Sequence, residues 1–206
     1  MTKVRWAGRI VSVQPRIGLT RSLDERHHRY SGYCLFLNGI VGDEEREFSV
    51  GIGRVVQAKH QFQAGDEVSG EAVPVADPRR EPVEFCRASK LRLLVRAAAT
   101  DVTPPPWHGV PPDLETYRGH RRLAACTYDT RCKSCLWGCR MPVTIIVDHW
   151  KPEKKRYRYE TFCYGPKSCS CYKPGPTRKV PGRKGMTWEE EDWVDEDATA
   201  HREWDE

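Results

Sequence analysis

The chain has 206 residues, 31% of them charged, and a mean hydropathy of −0.70. Such a balance argues against one large apolar core and for small modules with polar connections; the longest apolar stretches, such as Thr144–Val147, fall far below the roughly 20 residues of a membrane-spanning helix. The net charge of +5 hides an asymmetry, because from Glu189 onward ten acidic residues stand against one basic residue, leaving a basic body with an acidic tail.

The first hundred residues read as strands. Val4–Val13 alternates and is rich in β-branched residues. Gly32–Leu37 predicts a second strand, with turn chemistry behind it in Asn38-Gly39, and Arg46–Ile52 predicts a third. Val55, Ala58 and Phe62 recur at helical spacing, which predicts a short helix or turn. Phe62-Gln-Ala-Gly-Asp-Glu-Val-Ser-Gly70 then presents a Gly-Asp turn feeding a fourth strand, and Phe85–Val95 alternates as a fifth. Strand, strand, strand, short helix, strand, strand is the element order of the OB-fold, a five-stranded Greek-key barrel. The Phe62–Gly70 stretch also resembles the F-x-x-G-D-x-V-x-G entry to the fourth strand of OB and related small barrels. That resemblance spans residues 3–97.

A Pro-rich bridge follows, Thr103 to Pro112, which can form neither helix nor central strand. It is expected to run extended, with Trp107 pinning it to the body, and Asp113–Ala125 is expected to make a short basic helix. Seven of the nine cysteines come next: Cys126, Cys132, Cys135 and Cys139, then Cys163, Cys169 and Cys171. Between the groups, Pro142–Trp150 and Arg156–Phe162 read as a β-hairpin. Two cysteine groups at the base of a hairpin can converge on one tetrahedral ion. Cys132-Lys-Ser-Cys135 has the spacing of a zinc knuckle, and the expected ligands are Cys132, Cys135, Cys163 and Cys169, with Cys126, Cys139 and Cys171 in reserve.

This arrangement resembles a zinc ribbon over residues 132–171, which implies a structural Zn2+. It departs from the ribbon in that the second pair is C-x5-C, or Cys169-Ser-Cys171. Cys126, Cys132, Cys135 and Cys139 could alone form a local four-thiolate set, so a [4Fe–4S] cluster is the rival occupant. Cys34 and Cys86 lie in strands and are expected to be small buried hydrophobes.

The fold class expected is mainly β: an OB-like five-stranded barrel (1–97), a Pro-rich linker with a short basic helix (98–125), a small metal-stapled, zinc-ribbon-like β-hairpin module (126–174), and a basic Gly/Pro segment with an acidic, Trp-containing tail (175–206). OB-folds bind strands across their second and third strands, flanked by the loops joining strands one and two and strands four and five. The matching residues are Arg21, Arg26 and Arg29 in the first loop, Arg79 and Arg80 in the second, and Tyr33, Phe36 and Phe48 between them. Alternate strand positions point inward, so some of these aromatics must be core. From Trp150 to Met186, eleven lysines and arginines, Arg156 and Arg158 among them, are interleaved with tyrosines.

Basic residues track phosphates and aromatic faces stack on bases, so the expected function is a metal-binding, non-catalytic module for single-stranded nucleic acid, or a scaffold. RNA stands ahead of DNA by analogy with OB-plus-ribbon proteins. The alternatives are an iron–sulfur electron-transfer accessory protein with an acidic protein partner and an adaptor subunit that docks a larger enzyme. An independent enzyme is not expected: there is no phosphate-binding glycine loop or nucleophile elbow, and four cysteine ligands close a metal's coordination sphere. The tail, with Trp188, Trp193 and Trp204, is expected to dock on the protein's own basic surface and compete with a polyanion. The N-terminus lacks the apolar core of a secretory signal, so a cytoplasmic location is expected.

Overall fold

A computed structural model describes residues 2–98, 104–190, 195–196 and 199–200. Five strands close a ring: β1 (Val4–Arg21), β2 (Arg26–Val41), β3 (Glu44–Ile52), β4 (Glu67–Pro74) and β5 (Phe85–Val95). β1 pairs antiparallel with both β2 and β4, β4 pairs with β5, and a parallel bridge from Val50 to Phe85 joins β3 to β5. The single helix of the barrel, α1 (Arg54–His60), lies between β3 and β4. This is the OB order, and the inward residues Ile10, Leu35, Leu37, Val50, Phe62 and Val68 form its core.

The Gly-Asp turn earns its place by hydrogen bonding. Buried Asp66 accepts from the Gln63 and Ala97 amides and pairs with Arg96 at 2.8 Å, so one carboxylate ties the entry of β4 to the end of β5. The Asn38-Gly39 turn predicted from sequence lies instead inside β2, whose turn to β3 is at Gly42-Asp43. Gly39 faces Gly8 across the ladder, and a Cβ there would stand 2.2 Å from the Ala7 carbonyl oxygen. Glycine at 39 therefore serves close strand approach, which leaves the turn to its neighbours.

β1 and β2 run far past the barrel. Their pairing continues to Arg21 opposite Arg26, so the expected long first loop is a four-residue turn at the end of a ribbon. Burial explains the extension: Ile17 and Leu19 continue the apolar alternation and pack in the main core. On this overhang β7 (Gly138–Ile146) adds in parallel, Leu19–Arg21 against Val143–Ile145, followed by β8 (Lys155–Cys163) and β6 (Arg121–Arg122). Barrel and hairpin thus share one continuous sheet, and Met141, Val143 and Phe162 belong to the same core as the barrel residues.

The expected basic helix over 113–125 is absent among the described residues; a 3-10 turn, Leu114–Tyr117, and the short β6 lie there, and a short helix, Ala125–Thr127, begins at its last residue. Leu114 and Tyr117 are buried, and the Tyr33 hydroxyl donates to the Pro112 carbonyl at 2.6 Å, so the bridge is packed down. The Gly/Pro segment forms a hairpin, β9 (Arg178–Pro181) with β10 (Thr187–Glu190), whose Val180 and Trp188 join the core. No described helix is long and apolar enough to cross a membrane.

Candidate metal centre and binding cleft

Cys132, Cys135 and Cys163 are buried in one small cluster with Leu123 and Tyr128, against which Trp107 and Tyr172 pack. Gly138 opens β7 opposite Cys163 at the end of β8, so the two cysteine groups meet at the hairpin base. Burial pushes the Cys132 thiol up to about 12, and the neighbouring Cys163, Cys135, Cys169 and Cys171 push in the same direction. Cys135 is pushed up to about 11 by burial, against the pull of the Trp137 and Trp107 amides that point at its sulfur. Burial also raises Cys163, opposed by the Gly165 amide and the Arg121 guanidinium.

Both Cys135 and Cys163 therefore receive an amide from the residue two positions on, a donor that a thiolate needs more than a thiol does. Cys169 acts electrostatically on all three buried cysteines and is half-buried beside them. Among the described residues, no three His, Cys, Asp or Glu side chains form a ready-made metal site.

The reserve cysteines part company. Cys139 is fully buried in the barrel core, its Sγ directed at the Pro15 carbonyl at 3.5 Å, and Cys126 is exposed. The local set of Cys126, Cys132, Cys135 and Cys139 is therefore not assembled, because strand alternation turns Cys139, paired with Phe162, to the face opposite Cys163. Cys171 stays near Cys132. Cys34 is buried as expected of a strand cysteine, while Cys86 is half-buried.

What holds the knuckle is a barrel residue that sequence reasoning missed. Gln14 of β1 donates from Nε2 to the carbonyls of Cys135 (2.8 Å), Cys132 (2.9 Å) and Lys133 (3.1 Å). Its Oε1 accepts from the Tyr128 hydroxyl at 2.7 Å, and Ser12 Oγ donates to the Lys133 carbonyl at 2.9 Å. Ser12, Gln14 and Gln57 are polar yet buried barrel residues, and the first two are buried because the knuckle covers them.

The knuckle in turn walls a cleft of about 560 Å³. Phe36 and Asn38 of β2 and Glu47 of β3 supply its floor, the β4–β5 loop one side, and Arg131, Lys133, Arg140 and Tyr159 the other. Its three glutamates have basic partners, Glu47 with Lys133 at 3.0 Å, Glu81 with Arg16 at 2.7 Å and Glu84 with Arg46 at 2.7 Å, and Asp129 lies exposed on the knuckle wall. The Tyr159 hydroxyl donates to the carbonyls of Pro78 and Glu81, lashing the β4–β5 loop to the hairpin. Arg140 lies over the Tyr159 ring at 4.5 Å, and Arg79 over Tyr157 at 4.5 Å.

Several expected binding residues are elsewhere. Tyr33 is a core residue, and Phe48, although it borders the cleft, is 3% exposed and packed in the core, so neither presents a ring face to a base. Arg21 has 0% of its side chain exposed; it pairs with Glu190 at 3.0 Å and Glu160 at 3.3 Å, and Arg26 pairs with Glu190 at 2.8 Å. The reason is the overhang, which buries position 21 under β10. Arg158 pairs with Glu160 and donates to the Lys179 carbonyl. Phe36 remains in the cleft, Arg80 is exposed in the β4–β5 loop, Arg29 is exposed beside that loop and pairs with its Glu81 at 3.4 Å, and Arg156 is exposed on the hairpin. At the start of the tail, Glu190 holds Arg21 and Arg26 and Asp195 holds Arg122 at 2.9 Å; Trp193 and Trp204 lie outside the described residues.

Comparison with protein-family models, curated proteins and solved structures finds no match.

Proposed function

We propose that this chain is a non-catalytic, metal-stapled module that binds single-stranded nucleic acid, RNA first among the candidates. The observation that carries the reading is the cleft. It lies on the β2–β3 face that OB barrels use, floored by Phe36 and flanked by Arg131, Arg140 and Tyr159. With Glu47, Glu81 and Glu84 neutralised by internal partners and Arg131 and Lys133 near Asp129 in sequence, the cleft offers stacking surfaces and cationic edges together, a combination suited to unpaired bases and their phosphates.

Zinc is the metal the donors suit, since buried thiols with amides aimed at sulfur become thiolates when a soft divalent ion displaces their protons. Cys132, Cys135, Cys163 and Cys169 would hold it, and its contribution is to fix the knuckle and hence one wall of the cleft. The dispersal of Cys126 and Cys139 favours this ion over a four-iron cluster. Elemental analysis is expected to give about one zinc per chain. An anisotropy titration is then expected to show tighter binding of a single strand than of its duplex; equal affinity for both, or none for either, would remove the nucleic-acid reading whatever the metal content.

A further inference from the structure

Three turns meet at the end of the β1–β2 overhang. The β7–β8 tip reaches the β1–β2 tip through His149 Nε2 and Asp24 Oδ1 at 3.4 Å. The β9–β10 turn packs there too, since a Cβ on Gly182 would stand 3.2 Å from the Leu23 side chain. Out of this supported end projects Trp150, 83% exposed, the most exposed large aromatic among the described residues. It is not a frayed tip. Buried Asp148 accepts from the Trp150 amide at 3.1 Å, and the Lys154 amide closes a second turn on Lys151 at 2.9 Å. A tryptophan whose backbone is fixed by its own turn, and whose indole no described residue covers, is shaped for a partner.

The surroundings say which partner. Lys151, Lys154, Lys155 and Arg156 are exposed around Trp150, and Arg183 and Lys184 are exposed on the adjoining turn. One face of β8 connects this tip to the cleft. Lys155, Tyr157 and Tyr159 alternate onto the same face, spanning about 14 Å of strand. Arg79 and Arg140 lie over the two tyrosine rings, so that face offers guanidinium planes as well as rings to a base. A membrane would engage the tip alone; a continuous track from the Phe36 floor to Trp150 fits an extended polyanion with stacking faces.

We infer that the β7–β8 tip is a second nucleic-acid contact, where Trp150 stacks on a base and Lys151, Lys154 and Lys155 hold the phosphates of a strand leaving the cleft along β8. This rests on the cleft binding a single strand. It makes the footprint longer than the barrel's own.

The test compares Trp150→Ala and the Lys151→Glu/Lys154→Glu double variant with the wild type on single strands of about 5 and about 15 nucleotides, near the two ends of the range of about 4–16 that one OB barrel covers. The wild type is expected to bind the longer strand more tightly. Trp150→Ala is expected to cost about tenfold on the longer strand, the scale of one lost base stack, and to leave the shorter one unchanged. The charge-reversal pair is expected to do the same and to flatten the salt dependence. Unchanged affinity of both variants for the longer strand overturns the tip contact while leaving the cleft standing; a wild type that binds neither strand overturns the cleft and the tip together. Loss of anionic phosphatidylserine-vesicle binding in Trp150→Ala, with oligonucleotide binding intact, would assign the tip to a membrane and overturn the inference.

Discussion

Replacing Gln14 by leucine tests whether the barrel holds the cysteine knuckle. The substitution keeps the side chain's bulk and removes its amide. Two short bonds to the carbonyls of Cys132 and Cys135 vanish, the longer one to Lys133 goes with them, and the Tyr128 hydroxyl loses its acceptor. The Cys132 and Cys135 carbonyls keep the Cys135 and Gly138 amides and Lys133 keeps Ser12, so each of the first two loses one bond of about 1 kcal/mol, while the Tyr128 hydroxyl is left unpaired at about 1–3 kcal/mol. Taken near the lower end, these give about 3 kcal/mol. For a chain of this size each kcal/mol lowers Tm by about 2–4 °C, so the expected drop is about 6–12 °C. Urea unfolding of metal-loaded protein measures the free energy, and Tyr128→Phe alone is expected to cost only about 1 kcal/mol. The double variant is expected to be less than additive, because both changes break one shared bond. A loss below about 1 kcal/mol for Gln14→Leu would refute the cradle.

Three further outcomes follow from neighbouring sites. Gly138→Ala puts a Cβ 2.5 Å from the Cys132 carbonyl oxygen, so the knuckle must shift; a clear loss of zinc affinity is expected by competition with a chromophoric chelator, and unchanged affinity would contradict the packing. Glu190→Gln leaves buried Arg21 with Glu160 as its remaining described carboxylate, and by the cost of breaking a buried pair the protein should lose about 3–5 kcal/mol in urea unfolding. Burial, with help from Arg26, Arg21 and His27 and against Glu190, pushes His28 down to about 4 from 6.5, and His120 beside it is pushed down as well, Arg178 adding to its burial. The unfolded chain then binds more protons between those values, so stability is whole above about pH 6.5 and falls as pH drops toward 4, by up to about 3 kcal/mol for His28. Chemical denaturation at pH 7 and pH 5 is expected to show that slope, and His28→Gln to flatten it.

The barrel was legible because alternation and turn chemistry act locally. Phe62 and the Gly65-Asp66 turn announced β4, and the structure explains why through the amides that Asp66 satisfies. The overhang was not legible, because Arg21, Arg26 and the neighbouring histidines look like a solvated loop; their burial depends on β10, more than 160 residues away in the chain for the Arg21–Glu190 pair. β9 and β10 hid in a Gly/Pro-rich basic stretch whose only apolar anchors are Val180 and Trp188. In the cysteine region, spacing picked out Cys132, Cys135 and Cys163 as neighbours. It could not tell that Cys139 faces the barrel, since one residue of strand register decides the face. Ser12 and Gln14 carried the one overlooked signal: two polar residues on the same face of a strand otherwise rich in Ile and Val, waiting for polar atoms to cover them.

The most direct measurement is a photo-crosslinking map of the zinc-loaded chain on a mixed-sequence single-stranded RNA, read peptide by peptide. Crosslinks on β2 at Phe36, on the knuckle around Arg131 and on β8 at Tyr159 are the predicted result, fading in high salt as phosphate contacts are screened. Crosslinks that avoid the β2–β3 face, or an RNA that never crosslinks while zinc remains bound, would contradict it.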